Sequence, residues 1–209
     1  MATSLMENRI LRILKSNVTL TLPDWIDSEV GDALVCSTDD EQMELAVRLA
    51  ERNVAERTGG PFGAAVFEIE GGALAAVGVN RVVPLSCSVA HAEAMAIMLA
   101  QQTFQTYDLA ASDLPPLRLV TSAQPCLQCF GMIWWSGVRE VLIGATAEDV
   151  ERLTGFSEGA LPEEWVKRFA NRVGFPAVRV TEGLLRERAL EPLIEYRKRN
   201  GAIYSPSST

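Results

Sequence analysis

The chain is 209 residues long, 48% hydrophobic and 22% charged, which supplies enough apolar material for one substantial core and carries no signature of disorder. Its 27 acidic and 19 basic residues leave a formal net charge of -8, and an acidic balance repels phosphate backbones, so nucleic acid is not the expected substrate. No run approaches the roughly twenty apolar residues of a membrane helix, no secretory core or cleavage site marks the N-terminus, and the four cysteines are not spaced as a disulfide framework, which together point to a cytoplasmic protein away from membranes.

In chain order, residues 1–38 read as an N-terminal extension. The first seventeen residues set Arg9, Arg12 and Lys15 among Leu5, Ile10, Leu11, Ile13 and Leu14, the pattern of a short amphipathic helix, and an irregular stretch around Pro23 follows. Asp39 to Arg57 has Met43, Ala46, Val47, Ala50 and Val54 at helical spacing, with acidic residues in the first turn. Thr58-Gly59-Gly60 stops that helix. Ala64 to Ile69 then forms a strand, and Glu70-Gly71-Gly72 turns it into a second strand running through Val79, a hairpin pattern.

Val82 to Ala90, with Pro84, is read as a loop, and Ala92 to Gln102 as a helix of high propensity whose Met95 and Met98 belong to the core. Leu117 to Ser122 is a strand, Cys126 to Ser136 a helix ended by Gly137, and Val138 to Ile143 a buried strand. A helical turn over 147–153, a glycine-bearing loop over 154–161, a helix over 162–172 opened by Pro162, a strand over 177–181 and a helix over 184–199 complete the pattern. Five strands alternating with helices imply a three-layer α/β/α sandwich around one mixed five-stranded sheet. The expected organisation is one domain over 1–209, with its core at 39–200 and a tail at 201–209.

The chemistry concentrates in two short segments. His91, the only histidine, opens His91-Ala92-Glu93, and Pro125-Cys126-Leu127-Gln128-Cys129 follows about a third of a domain later. A lone Cys-x-x-Cys is equally a redox pair, half a zinc knuckle or two buried thiols. Combined with the histidine, it offers one imidazole and two thiolates to a tetrahedral Zn²⁺ and leaves a fourth position for water, the arrangement of a catalytic centre. Zinc lowers the pKa of its water to about 7, and Glu93 is then placed to carry protons. Residues three apart share a helix face, so both thiolates can reach one metal if Pro125 occupies the first turn. Residues two apart diverge on a helix, so His91 belongs at the very start of its helix, before the backbone turns helical, and Glu93 in the first turn.

The order Pro61-Phe62-Gly63-Ala64-Ala65-Val66, Asn80, His91-Ala92-Glu93 and Thr121-Ser122-Ala123-Gln124-Pro125-Cys126-x-x-Cys129 resembles the cytidine deaminase-like superfamily over roughly residues 39–204. Within it, Asn80 to Pro84, Ile133 to Arg139, Gly155 to Gly159 and Asn200 to Tyr204 are similar to the bacterial guanine deaminases that also accept the aminotriazine ammeline. The resemblance implies His91, Cys126 and Cys129 as zinc ligands and Glu93 as general acid/base. It also implies Asn80 and the Ala92 N–H as partners of the purine edge, Phe62 and Phe156 as ring contacts, Glu158 as a second acidic group, and a homodimer with Tyr204 in a C-terminal lid. Gln124 departs from the glutamate found there in many relatives, and Trp134 and Trp135 are read as core or interface residues.

Hydrolysis at C2 of guanine needs one proton on the ring nitrogen and one on the departing amine, which gives two carboxylates, Glu93 and Glu158, distinct tasks. The competing readings are a cytosine, cytidine or other nucleoside deaminase, and a zinc-stabilised scaffold that keeps the metal without the chemistry. A carboxylate at Glu93 serves no purpose in a purely structural site.

Overall fold

The computed structural model describes residues 17–31, 34–157 and 159–204. The amphipathic pattern at the N-terminus lies outside them as far as residue 16, as does Glu158. Helix α1 (Ile26–Val30) interrupts the stretch expected to be irregular. Helix α2 (Asp39–Ala55) opens on a capping box, in which the Thr38 side chain accepts from the Glu41 N–H and Glu41 reaches back to the Thr38 N–H. Such a cap stabilises by about 1 kcal/mol.

Strands β1 (Gly63–Glu68) and β2 (Leu74–Val79) form the hairpin, helix α3 (Val82–Leu85) follows, and helix α4 (Ala92–Phe104) precedes strand β3 (Leu117–Ala123). Helix α5 (Leu127–Ser136), strand β4 (Glu140–Ala145), helices α6 (Ala147–Thr154) and α7 (Trp165–Ala170), strand β5 (Arg179–Thr181) and helix α8 (Arg186–Lys198) complete the order. The sheet runs β2-β1-β3-β4-β5. Its first three strands are antiparallel neighbours, and β3, β4 and β5 are parallel. This is the mixed five-stranded α/β sheet that the alternating pattern implies.

Alternation along the strands separates two cores. Ala65 and Phe67 of β1, Val120 of β3 and Leu142 of β4 meet Met43, Leu49, Val150 and Leu193 from α2, α6 and α8 on one face. Ala64, Val66, Leu119, Val141 and Ile143 meet Ala96, Ile97, Ile133 and Phe169 from α4, α5 and α7 on the other. Successive strand side chains point to opposite faces, so one sheet serves both layers. Asp149 locks α6 to α8. It is 1% exposed, closes the Thr146 capping box and accepts two 2.7 Å bonds from Arg186.

Three expectations need correction. Residues 82–90 contain the short α3 rather than loop alone. The helix expected over 162–172 spans only Trp165–Ala170, because Glu164 takes a left-handed backbone (φ 53) that cannot continue a helix from Pro162. The helix expected from 184 starts at Arg186 for the same reason, with Leu185 at φ 47. Among the described residues no helix is long and apolar enough to cross a membrane.

Candidate active site

Two helix starts converge here. His91 is the N-cap of α4 with an extended backbone (φ -74, ψ 159), which leaves Glu93 in the first turn. Cys126 is the N-cap of α5, again extended (φ -70, ψ 174), and Cys129 lies in the first turn. Pro125 therefore precedes the cap and does not occupy the first helical position, a correction to the sequence reading. An extended cap residue carries its side chain back over the residue three positions on, and that geometry brings Cys126 towards Cys129. The positive ends of two helices meet at the donors, favouring thiolate and carboxylate.

The donor set fits zinc. His91 Nδ1 lies 3.4 Å from Cys126 Sγ and 3.6 Å from Cys129 Sγ, and the three donor atoms lie within 4.8 Å of one another. A tetrahedral centre with Zn–N near 2.0 Å and Zn–S near 2.3 Å has an N···S edge of about 3.5 Å. It is the one such group of histidine, cysteine and acidic donors found among the described residues. The Cys126 thiol falls to about 4, mainly because Cys129 donates a hydrogen bond to its thiolate, and the same bond followed by burial pushes Cys129 well up. The pair thus holds one negative charge by itself, and a divalent cation would favour the second.

Glu93 is 6% exposed. Burial first, and the Cys126 charge second, push its carboxyl up to about 7, while His91 opposes the shift. A carboxyl raised in this way can hold a proton as well as accept one, the requirement for general acid/base work, and the charge of a bound divalent cation would draw it back down.

These residues form part of a cavity of about 690 Å³ lined also by Phe62, Asn80, Phe156 and Tyr204. Phe156 sits 5.6 Å from Phe62 and 4.6 Å from Tyr204 between ring centroids. Asn80, at the end of β2 and 1% exposed, takes the Val82 N–H on its side-chain oxygen at 3.3 Å. Its amide N–H₂ remains as a pair of donors. The cavity therefore joins an apolar, ring-lined section, one fixed amide and a metal donor set with a buried carboxyl. A flat, neutral heterocycle with hydrogen-bonding edges matches that lining.

Of the residues singled out from sequence, His91, Glu93, Cys126, Phe62, Asn80, Phe156 and Tyr204 line the cavity, and Cys129 completes the donors behind it. Ala92 is buried at the first position of α4 and is not among the lining residues, although its N–H belongs to the first turn, where helices leave donors without an internal acceptor. Glu158 lies outside the described residues, and its chain neighbours Ser157 and Gly159 both line the cavity. Trp134 and Trp135 do not line it.

The sequence reading missed Ser88, Leu127, Gln128 and the role of Gln124. Gln128 donates to the Val89 carbonyl at 3.3 Å, tying α5 to the segment before His91. Gln124 Oε1 accepts from the Ala147 N–H at 3.3 Å. Position next to Pro125 and Cys126 was the one signal for Gln124; nothing in composition marked Ser88.

Fold and donor geometry together define a zinc-dependent hydrolase of small heterocycles, and comparison with known proteins narrows the class. Residues 36–145 match the family described as the cytidine and deoxycytidylate deaminase zinc-binding region. Guanine deaminase of Bacillus subtilis is 34% identical over 143 residues, covering 68% of this chain and 86% of that protein. The solved guanine deaminase of Nitrosomonas europaea is 41% identical, with a TM-score of 0.83 over 89% of this chain and 99% of that one. A structure of NE0047 in complex with 2,6-diaminopurine is 44% identical, with a TM-score of 0.82 over 90% and 96%. The chain belongs to the cytidine and deoxycytidylate deaminase family, and it is a zinc-dependent aminohydrolase.

Proposed function

We propose that this enzyme hydrolyses guanine to xanthine and ammonia. The observation that carries the reading is the cavity in which Glu93, His91 and Cys126 share walls with Asn80, Phe62 and Phe156. It is supported by the guanine deaminases it resembles across most of its length, and by the purine analogues bound to NE0047, 2,6-diaminopurine and 8-azaguanine. When bound, zinc supplies a nucleophilic water at neutral pH.

The protein residues divide the remaining work. Phe62 and Phe156 hold the purine ring, and the Asn80 amide and Ala92 N–H fix its edge. Glu93 takes a proton from the attacking water and delivers it to the ring nitrogen beside C2. As the C2–N bond breaks, Glu158 passes a proton to the amine, which departs as ammonia, while the C2 hydroxyl gives its proton back to a carboxylate and becomes the C2 carbonyl of xanthine. Tyr204, held against Phe156, closes the cavity and keeps water from the reacting centre. Residues 39–200 form the catalytic core.

The same reading includes a homodimer. On α5, the helix that carries Cys129, Trp135 is 70% exposed and packs edge-on against Phe175 at 5.2 Å between ring centroids, an apolar surface suited to a second copy. Four free cysteines suit a reducing cytoplasm, and the acidic net charge suits a small substrate rather than nucleic acid.

Ammonia release by the zinc-loaded protein across guanine, ammeline, cytosine, cytidine, adenine and guanosine tests the substrate. Guanine should dominate, and turnover of nucleosides without guanine overturns the proposal. Glu158→Ala should nearly abolish guanine turnover while leaving zinc content unchanged. Full activity would remove Glu158 from the mechanism. Sedimentation should give twice the chain mass.

A further inference from the structure

Asn53, fully buried in α2, uses its whole carboxamide. Its Nδ2 donates to the Gly60 carbonyl at 2.8 Å and to the Asn80 carbonyl at 2.9 Å. Its Oδ1 accepts from the Thr58 hydroxyl at 2.8 Å, and that hydroxyl accepts in turn from Trp25 Nε1 at 3.0 Å. Two carbonyls on one end and a hydroxyl on the other fix which way the amide points. The backbone is shaped around it: a Cβ at Gly59 would collide with the Asn80 carbonyl and approach Asn53 Nδ2 at 2.6 Å. A Cβ at Gly60 would stand 2.8 Å from Tyr204 Oη and 3.1 Å from Asn80 Oδ1.

Trp25 belongs to the segment 17–31, which lies before the residues that match the family. The segment makes a second link, because Arg81 donates from Nε to the Thr21 carbonyl at 3.2 Å and from Nη1 to the Thr58 carbonyl at 2.5 Å. A continuous, directed hydrogen-bond chain thus leads from the N-terminal segment to the backbone of the cavity's amide. The Asn53 links to Gly60 and Asn80 are buried and those through Thr58 and Trp25 are part-buried; a satisfied network shielded from water to this degree is stiffer than its links would be in solution.

We propose that the segment 17–31 is a positioning element of the substrate cavity, acting through Trp25, Thr58 and Asn53 to hold Asn80 where its amide meets the nucleobase. The inference rests on the reading of Asn80 as a substrate contact. Asn53 and Thr58 touch no substrate; their effect passes through the Asn80 backbone.

The test uses the full zinc-loaded chain with Thr58→Val, Thr58→Ser and Trp25→Phe, read as guanine KM and kcat, and as 8-azaguanine Kd by calorimetry in the Glu93→Gln background. Thr58→Val removes both bonds of the hydroxyl, to Asn53 Oδ1 and from Trp25 Nε1, and should raise KM and Kd about 3- to 10-fold with kcat within about 2-fold, the part of that loss that reaches Asn80 as uniform binding. Thr58→Ser should restore both. Trp25→Phe keeps a packed ring and removes the N–H, so a smaller rise of about 2-fold is expected; it also carries the comparison if Thr58→Val does not fold. In an Asn80→Ala background, Thr58→Val should add nothing to Kd. Lower melting temperatures with unchanged KM and Kd would overturn the positioning role and leave a purely structural one. An Asn80→Ala variant that itself binds normally would overturn the reading of Asn80, and this inference with it, whereas a weakened Asn80→Ala beside silent Thr58 and Trp25 variants would overturn the inference alone.

Discussion

His91, Glu93, Cys126 and Cys129 come from the first turns of two helices, and each pair is only two or three residues apart in sequence. Phe62, Asn80, Phe156 and Tyr204 line the same cavity from four separate places: the approach to β1, the end of β2, the loop after α6 and the segment beyond α8. Within each helix start the metal side gets its geometry from local backbone conformation, an extended cap, and the one tertiary requirement is that α4 and α5 meet. The recognition side exists only once α2, α8 and the sheet have packed together. Variants on the two sides should therefore fail in different ways.

The largest effect is expected on the metal side. Cys129→Ser replaces a thiolate with a poor zinc ligand at the base of the donor set, and zinc content and ammonia release should fall together to background. A variant that retains stoichiometric zinc and turnover would break the assignment. Glu93→Gln separates metal from chemistry. Zinc should stay bound, 8-azaguanine should still bind, and kcat should drop by about 10²- to 10⁴-fold, the usual contribution of a general acid/base. Loss of zinc in that variant would mean that Glu93 supports the ligands rather than moving protons.

The same division explains what was legible in sequence. His91 and Cys126 could be placed at helix starts because the required divergence of His91 from Glu93, and the pairing of the two cysteines, are properties of helix geometry over three residues. Only Pro125 was misplaced, since the sequence does not reveal that Cys126 must be extended. The five strands were readable from apolar runs and glycine-rich turns. The short helix after Asn80 and the late start of α7 were not, because left-handed Glu164 is a tertiary outcome with no local signature. Phe156 and Tyr204 had no periodicity to distinguish them and entered through family resemblance. Asn53 carries no local signature within α2, because its partners Gly60 and Asn80 reach it only in the folded chain.

On the recognition side effects should be graded. Tyr204→Ala removes the ring contact with Phe156, and an aromatic pair of this kind is worth about 0.5–1.5 kcal/mol, so guanine KM should rise about 2- to 12-fold with zinc content unchanged. Tyr204→Phe should lie closer to wild type if packing is the main contribution. A Tyr204→Phe variant as weak as Tyr204→Ala would shift the role to the hydroxyl. Unchanged kinetics in both would remove Tyr204 from the closure of the cavity.

The smallest effect on turnover is expected in the framework beneath both sides, where stability registers the loss. Hydrogen bonds from Arg186, and then from Thr146 and Arg152, hold the Asp149 carboxyl well below the usual carboxylate range, against the opposing effect of burial. A native pKa below the unfolded value near 3.9 means that the unfolded chain binds the proton more readily. This contribution is therefore fully present above that unfolded value and is lost as pH falls through the native pKa. Asp149→Asn keeps the shape but loses the charge, and should cost about 1–2 kcal/mol at pH 7. In urea titrations the gap between wild type and variant should hold steady from pH 7 to pH 5 and narrow below about pH 4. A gap that persists undiminished to pH 3 would assign the loss to the geometry of the Thr146 cap, which an amide reproduces poorly, and not to the ion pairs that tie α6 to α8.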